Sequence, residues 1–473
     1  MVDQNVHAYR DDALGDFDAV ALAEQIRTGA VSRREVVEAA IERTNAVNDR
    51  LNAVQMDCFE QARADTERPR GGVFSGVPTF VKDNTDVAGL PTCHGSSAFT
   101  PHPAKQNGGP AAQFLSAGFE LLGKTTLPEF GLTASTEFAD RPPTRNPWNL
   151  DYSVGASSGG SAALVAAGAV PIAHANDGGG SIRIPAAVNG LVGLKATRCR
   201  MLDQPGVRQL PVNLVAEGVL TRTVRDTAHY FAAAEQYRQN TVLAPIGLVE
   251  GPSDRKLRIG VVRRDLYGRL PHPEIAQVTD SAAGMLAGMG HEVSDVSLEF
   301  DERLIEDFKL YWSMFAVAMS ASFKAHHGRR FRPSELDPFT KGLAHTALGN
   351  PLRIVPAVRR LRRATGTYEE QFTDFDVLLT PVLSQPTPLI GEHRPDQPFE
   401  KLFATLVDYV GFTPINNVGG GPALALPHGH LASGLPGSVQ ILARGGDERT
   451  LLDLAYQVEA QSPFPRITAT AEM

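Results

Sequence analysis

Short apolar runs of strand length alternate with helix-period segments along this chain of 473 residues. That alternation predicts an α/β fold, with parallel βαβ units and helices on both faces of the sheet. Two bulk observations agree. Hydrophobic residues make up 42% and charged residues 21%, the balance of a globular chain that can bury a large core. Length alone would suggest two or three domains, yet no low-complexity linker or internal repeat forces a break.

Val20, Leu22, Ala23 and Ile26 share one helical face, and Gly29 stands where a C-cap would. Ser32 and Glu35 have capping-box spacing for a second helix carrying Val36, Val37, Ala40 and Ile41. Residues 77–81 read as a short buried strand ending at Lys82. A helix over 110–117 leads into another apolar strand over 119–123. The alanine-rich stretch 161–169 fits a buried helix packed closely on the sheet. His174 lies in a strand-like apolar run, the setting of a satisfied core histidine. Further strands are expected over 257–262, 377–381, 423–427 and 439–442. Between about 300 and 370, Trp312, Met314, Phe315, Met319 and Phe323 mark a helical pattern with few glycines. Such a stripe can face the core and also roof a pocket, because methionine and aromatic side chains adapt to varied partners.

The formal net charge of −8 argues against a general nucleic-acid binder, which needs a basic face. The one basic run, Arg359, Arg360, Arg362 and Arg363, reads as a solvated helix face. Cys58, Cys93 and Cys199 are too few for a disulfide framework and too scattered for a zinc site. No apolar span of about eighteen residues appears, so no membrane crossing is expected. The first residues, with Asp3, Asp11 and Asp12, lack a basic segment followed by an apolar one, and a cytoplasmic location is expected.

Chemistry concentrates in two glycine clusters. The first is Gly155-Ala156-Ser157-Ser158-Gly159-Gly160 and the second Gly178-Gly179-Gly180-Ser181. Glycine lets backbone amides approach a bound group, and neighbouring N–H groups can hold a developing oxyanion. Ser181 is therefore the candidate nucleophile, and its hydroxyl needs a base. Residues 155–159 also satisfy the Gly-x-Ser-x-Gly elbow pattern. An elbow must follow an apolar strand, however, and 149–153 is not one; no later histidine has a triad context. A phosphate cradle lacks the Gly-Lys-Ser/Thr that would follow its glycines.

From Gly155 through Asp177 to Ser181, Arg183 and Pro185, the segment resembles the long consensus of the amidase signature family. Phe80-Val81-Lys82-Asp83-Asn84, Thr144-Arg145-Asn146-Pro147-Trp148-Asn149, Gly193-Leu194-Lys195, residues 220–226, Asn416-Asn417 and Gly421-Pro422-Ala423 extend the resemblance. Residues 240–400 match least well. The resemblance implies a large mixed sheet of about eleven strands flanked by helices, as one domain over 1–473. Its signature core would span 65–235, with a variable helical insert at 300–370 over the substrate pocket.

The resemblance makes Lys82 the base, Ser157 a proton relay held by a cis peptide bond, and Ser181 the nucleophile. Burial would make a neutral lysine amine accessible. The plain alternatives are a Lys82–Asp83 surface pair and a Ser157 hydroxyl that only satisfies its loop. Gly178, Gly179 and Gly180 are expected to donate to the oxyanion, with Asp177 and Arg183 bracing the turn. Gly131 and Thr133 align with positions near the substrate. His94 is a candidate for the pocket wall, and Cys93 reads as small and buried.

These residues imply an amidohydrolase that cleaves a small carboxylic amide through an acyl-enzyme, without metal or organic cofactor. One alternative is the glutamine-hydrolysing subunit of a tRNA-dependent amidotransferase. In that subunit a tyrosine- and serine-rich turn usually follows Gly-Leu-Lys, where this chain has Ala196-Thr197-Arg198-Cys199-Arg200. The other is a non-catalytic binding protein on the same fold. Linear aliphatic, aryl, amino-acid and cyclic amides all stay open as substrates, and a homodimer would be unsurprising.

Overall fold

The computed structural model describes residues 5–68, 71–204 and 206–467. Its strands are β1 (Val54–Asp57), β2 (Pro78–Lys82), β3 (Glu120–Thr125), β4 (Arg145–Asn146), β5 (Asn149–Ser153), β6 (Ile172–Asp177) and β7 (Val192–Lys195). They continue with β8 (Ala216–Thr221), β9 (Arg258–Val261), β10 (Glu292–Asp295), β11 (Val377–Pro381), β12 (Ala423–His430) and β13 (Pro436–Ala443). One sheet has eight strands in the order β10-β9-β11-β13-β12-β7-β8-β6, and a second has three in the order β1-β3-β2. The edges β6 and β2 abut. Thr79 Oγ1 donates to the Ile172 carbonyl at 2.8 Å, and Lys82 reaches Asn176 across the same seam. The two sheets therefore form an eleven-stranded α/β layer flanked by helices, as the resemblance implied.

The expectation of parallel βαβ units needs correction. β2 runs parallel to β3 through the helix Gly109–Leu115, and β9 is parallel to both β10 and β11. The centre is antiparallel: β6 pairs with β8, β8 with β7, β7 with β12, and β12 with β13. Helices cover both faces there too, so these strands are buried along most of their length and lack the alternation that marks an antiparallel sheet. Residues 149–153 also form a strand, but it makes a hairpin with β4 outside the main sheets.

Local sequence explains the helix starts and stops. Gly29 closes the first helix, Ala19–Thr28, in the left-handed region at φ 76°. The capping box forms at the helix Arg33–Leu51: Glu35 N–H donates to Ser32 Oγ at 3.2 Å and Ser32 N–H to Glu35 Oε2 at 2.8 Å. The helix Gly159–Ala166 is glycine, alanine and serine apart from Leu164 and Val165, and it is buried throughout. Its small side chains allow close approach to the seam; a Cβ on Gly160 would meet the Ala53 carbonyl at 2.5 Å.

Residues 300–370 hold the helices Leu304–His327, Pro338–Leu348 and Pro351–Glu370. In the basic run Arg359, Arg362 and Arg363 are exposed, whereas Arg360 pairs with Asp307 at 2.6 Å. Cys58 and Cys93 are half-buried, Cys93 less buried than expected, and Cys199 is exposed. Among the described residues no helix is long and apolar enough to cross a membrane. Ser32→Ala removes one capping oxygen far from the glycine clusters. It should cost about 1 kcal/mol of stability, read as a lower thermal midpoint with unchanged turnover.

Candidate active site

Lys82 ends β2 at the seam and is fully buried. Its Nζ lies 2.8 Å from Ser157 Oγ, 2.7 Å from Asn176 Oδ1 and 3.4 Å from the Asn176 carbonyl. Burial disfavours the ammonium and brings the pKa down to about 7, against the opposing pull of the Glu217 and Asp177 carboxylates. Asp83 pairs instead with the buried Lys124, 2.7 Å away, so the Lys82–Asp83 surface pair does not occur.

Ser157 follows Gly155, whose φ is 73°, and the Ala156–Ser157 peptide is cis. Gly131 sits opposite at φ 70°, and a Cβ there would come within 2.9 Å of Ser157 Oγ. Ser158 Oγ donates to the Ser181 carbonyl at 2.6 Å, tying the two glycine loops together. Ser157 and Ser181 are 3% and 8% exposed and line the same cavity.

Asp177 braces the second loop, as expected. Its carboxylate accepts from Gly180 N–H at 2.7 Å, Ile182 N–H at 3.2 Å, Arg183 Nε at 2.9 Å and Asn417 Nδ2 at 2.8 Å. These donors, with the Arg183 charge beside it, hold its carboxyl well below the usual carboxylate range. The expectation of three oxyanion donors narrows here. Gly180 N–H is engaged by Asp177, which leaves Gly178 and Gly179 as candidates beneath the Trp312 ring.

Two cavities meet at Ser181. A small apolar one, about 100 Å³, is lined by Thr133, Phe308, Trp312, Leu406 and Ile415. A larger one, about 830 Å³, is lined by Asn84, His94, Gly131, Ser157, Asn176 and Glu217. Trp312 and Leu132 border both, and Trp312 Nε1 donates to the Leu132 carbonyl at 3.1 Å. His94 packs edge-on against Phe323, and burial pushes its imidazole down to about 3. His174 packs against Phe114, with Nε2 at 3.1 Å from Glu217 Oε2.

Sequence reasoning passed over Asn176 and Glu217. Both are polar residues in buried strands, the one pattern that could have singled them out. Gly131→Ala, with a strained φ and a methyl against Ser157 Oγ, should lower kcat at least about tenfold while the far-ultraviolet dichroism stays unchanged.

A family model described as Amidase matches residues 35–452. AmiC of Mycobacterium tuberculosis is 48% identical over 467 residues, covering 98% of each protein. The 6-aminohexanoate-cyclic-dimer hydrolase of Paenarthrobacter ureafaciens is 36% identical over 475 residues, covering 94% of this chain and 95% of that protein. A solved bacterial aryl acylamidase of the amidase signature enzymes superposes with a TM-score of 0.83 at 26% identity, covering 94% of this chain and 96% of that one. The chain thus belongs to the amidase signature family and is a hydrolase of amide C–N bonds.

Proposed function

We propose that this enzyme cleaves a small carboxylic amide through an ester formed on Ser181, with Lys82 as base and Ser157 as relay. The observation that carries the reading is the fully buried Lys82 amine bonded to Ser157. Neutral Nζ takes the Ser157 hydroxyl proton, and Ser157 Oγ takes that of Ser181 as Ser181 Oγ bonds to the amide carbon. The carbonyl electron pair moves onto oxygen, where Gly178 and Gly179 N–H groups hold the charge. Lys82 then returns a proton through Ser157 to the amide nitrogen as the C–N bond breaks, so a neutral amine leaves. Water repeats the sequence on the ester and frees the acid and Ser181.

Placement of the substrate follows from the relay. Ser157 lines the larger cavity, so the leaving amine belongs there and the acyl group enters the small apolar pocket. That pocket suits a short aliphatic or aryl acyl group. In this reading the enzyme works alone in the cytoplasm.

A fluorophosphonate should label Ser181 in the wild type and leave Ser181→Ala unlabelled. Ser181→Ala should lose at least about 10³-fold in kcat, and Lys82→Ala about 10²–10⁴-fold with its fold intact. Wild-type turnover by Ser181→Ala would reject the reading. Because the working form of Lys82 is the unprotonated one, kcat/KM should rise with pH and level off above about 7. Rates measured from pH 5 to 9 on one uncharged amide test the sign; a profile that falls through this range contradicts it.

A further inference from the structure

Glu217 is a buried carboxylate in the larger cavity to which this chemistry gives no task. It stands on β8 directly opposite Asn176 of β6, so the two side chains share a sheet face. Asn176 Oδ1 is the group that holds Lys82, which puts the Glu217 carboxylate beside the catalytic seam. Glu217 is 2% exposed and lines the cavity that also holds Ser157 and Ser181. Neither of its carboxylate oxygens accepts a hydrogen bond.

The groups facing it give its oxygens no hydrogen bond. His174 of β6 approaches Oε2 to 3.1 Å without hydrogen-bond geometry. Tyr230, from the helix Val224–Tyr237, is a phenol whose ionisation burial pushes upward, so it stays neutral. Lys82 of β2 is positive only in its resting, protonated form. When Lys82 acts as a base it is uncharged, and the buried Glu217 carboxylate, with no hydrogen bond of its own, is then poorly stabilised unless a cation arrives.

We propose that Glu217 is an ammonium-binding subsite for the leaving-group side of the substrate, so that this amidase prefers amides whose amine portion carries a second, protonated amine. The assignment rests on the reading above, which places the leaving amine in the cavity lined by Ser157. An ammonium seated on Glu217 supplies a positive charge and donors to both unbonded oxygens. It also opposes a second charge on nearby Lys82, and so favours the base form in which that lysine works.

The test compares N-alkyl amides with N-(ω-aminoalkyl) amides of the same acid over a series of spacer lengths. In the wild type the best aminoalkyl amide should exceed its neutral counterpart in kcat/KM. In Glu217→Gln the ratio of the two should fall at least about tenfold, because the neutral amide side chain keeps the shape but not the charge. A second measurement needs no variant: n-butylammonium should inhibit hydrolysis of an uncharged amide competitively and far more strongly than n-butanol. An unchanged ratio in Glu217→Gln, or equal inhibition by ammonium and alcohol, overturns the subsite. Fluorophosphonate labelling separates the two levels. A labelled enzyme with no preference for cations rejects the subsite alone, whereas wild type that resists labelling at Ser181 rejects the acyl-enzyme reading itself.

Discussion

One buried amine, held where two sheets abut, organises the rest of the molecule. Lys82 Nζ touches Ser157 on the glycine loop and Asn176 on the neighbouring strand, so it joins β2, β6 and the loop at a single point. The position serves chemistry because burial removes the water that would stabilise an ammonium. It serves architecture because the seam between β2 and β6 has no ladder of strand hydrogen bonds among the described residues. Side-chain bonds from Thr79 and Lys82 bridge it instead.

The nucleophile loop depends on a second polar layer drawn from distant sequence. Arg183 donates to Asp177, to Asn417 Oδ1 at 2.7 Å and to Gln440 Oε1 at 3.0 Å. Asn417 in turn donates to the Asp177 and Leu214 carbonyls. Thr413 Oγ1 donates to the Gly179 carbonyl at 2.7 Å, fixing the peptide plane beside a candidate oxyanion donor. These groups are buried, and although Gln440 Nε2 finds no partner, a buried network bonded this densely rigidifies what it surrounds. Segments more than two hundred residues apart therefore have to close together before the glycine loop has a defined shape.

Much of this was legible in the sequence where a local rule decides the outcome. Gly29, Ser32 and Glu35 marked helix ends because capping is settled within a few residues. The strand ending at Lys82 was visible as an apolar run, and the glycine clusters announced unusual backbone. Strand direction in the sheet centre was not legible, since a strand buried on both faces looks alike whichever way its neighbours run. Gly180 shows a subtler limit. Its amide was expected to face the oxyanion, but Asp177 three residues earlier caps it, a choice that only the folded turn reveals. Asn176 and Glu217 escaped notice because their roles arise from cross-strand neighbours rather than from spacing along the chain.

Whether the Lys82 amine is uncharged when the enzyme works is read directly by titrating that group. Protein carrying ¹³C at the lysine Cε positions, compared with Lys82→Met, identifies the Lys82 resonance. Following it with pH should give a midpoint near 7, well below the usual value for a lysine of about 10.4. A resonance that keeps its ammonium shift up to the pH at which exposed lysines titrate would contradict the account.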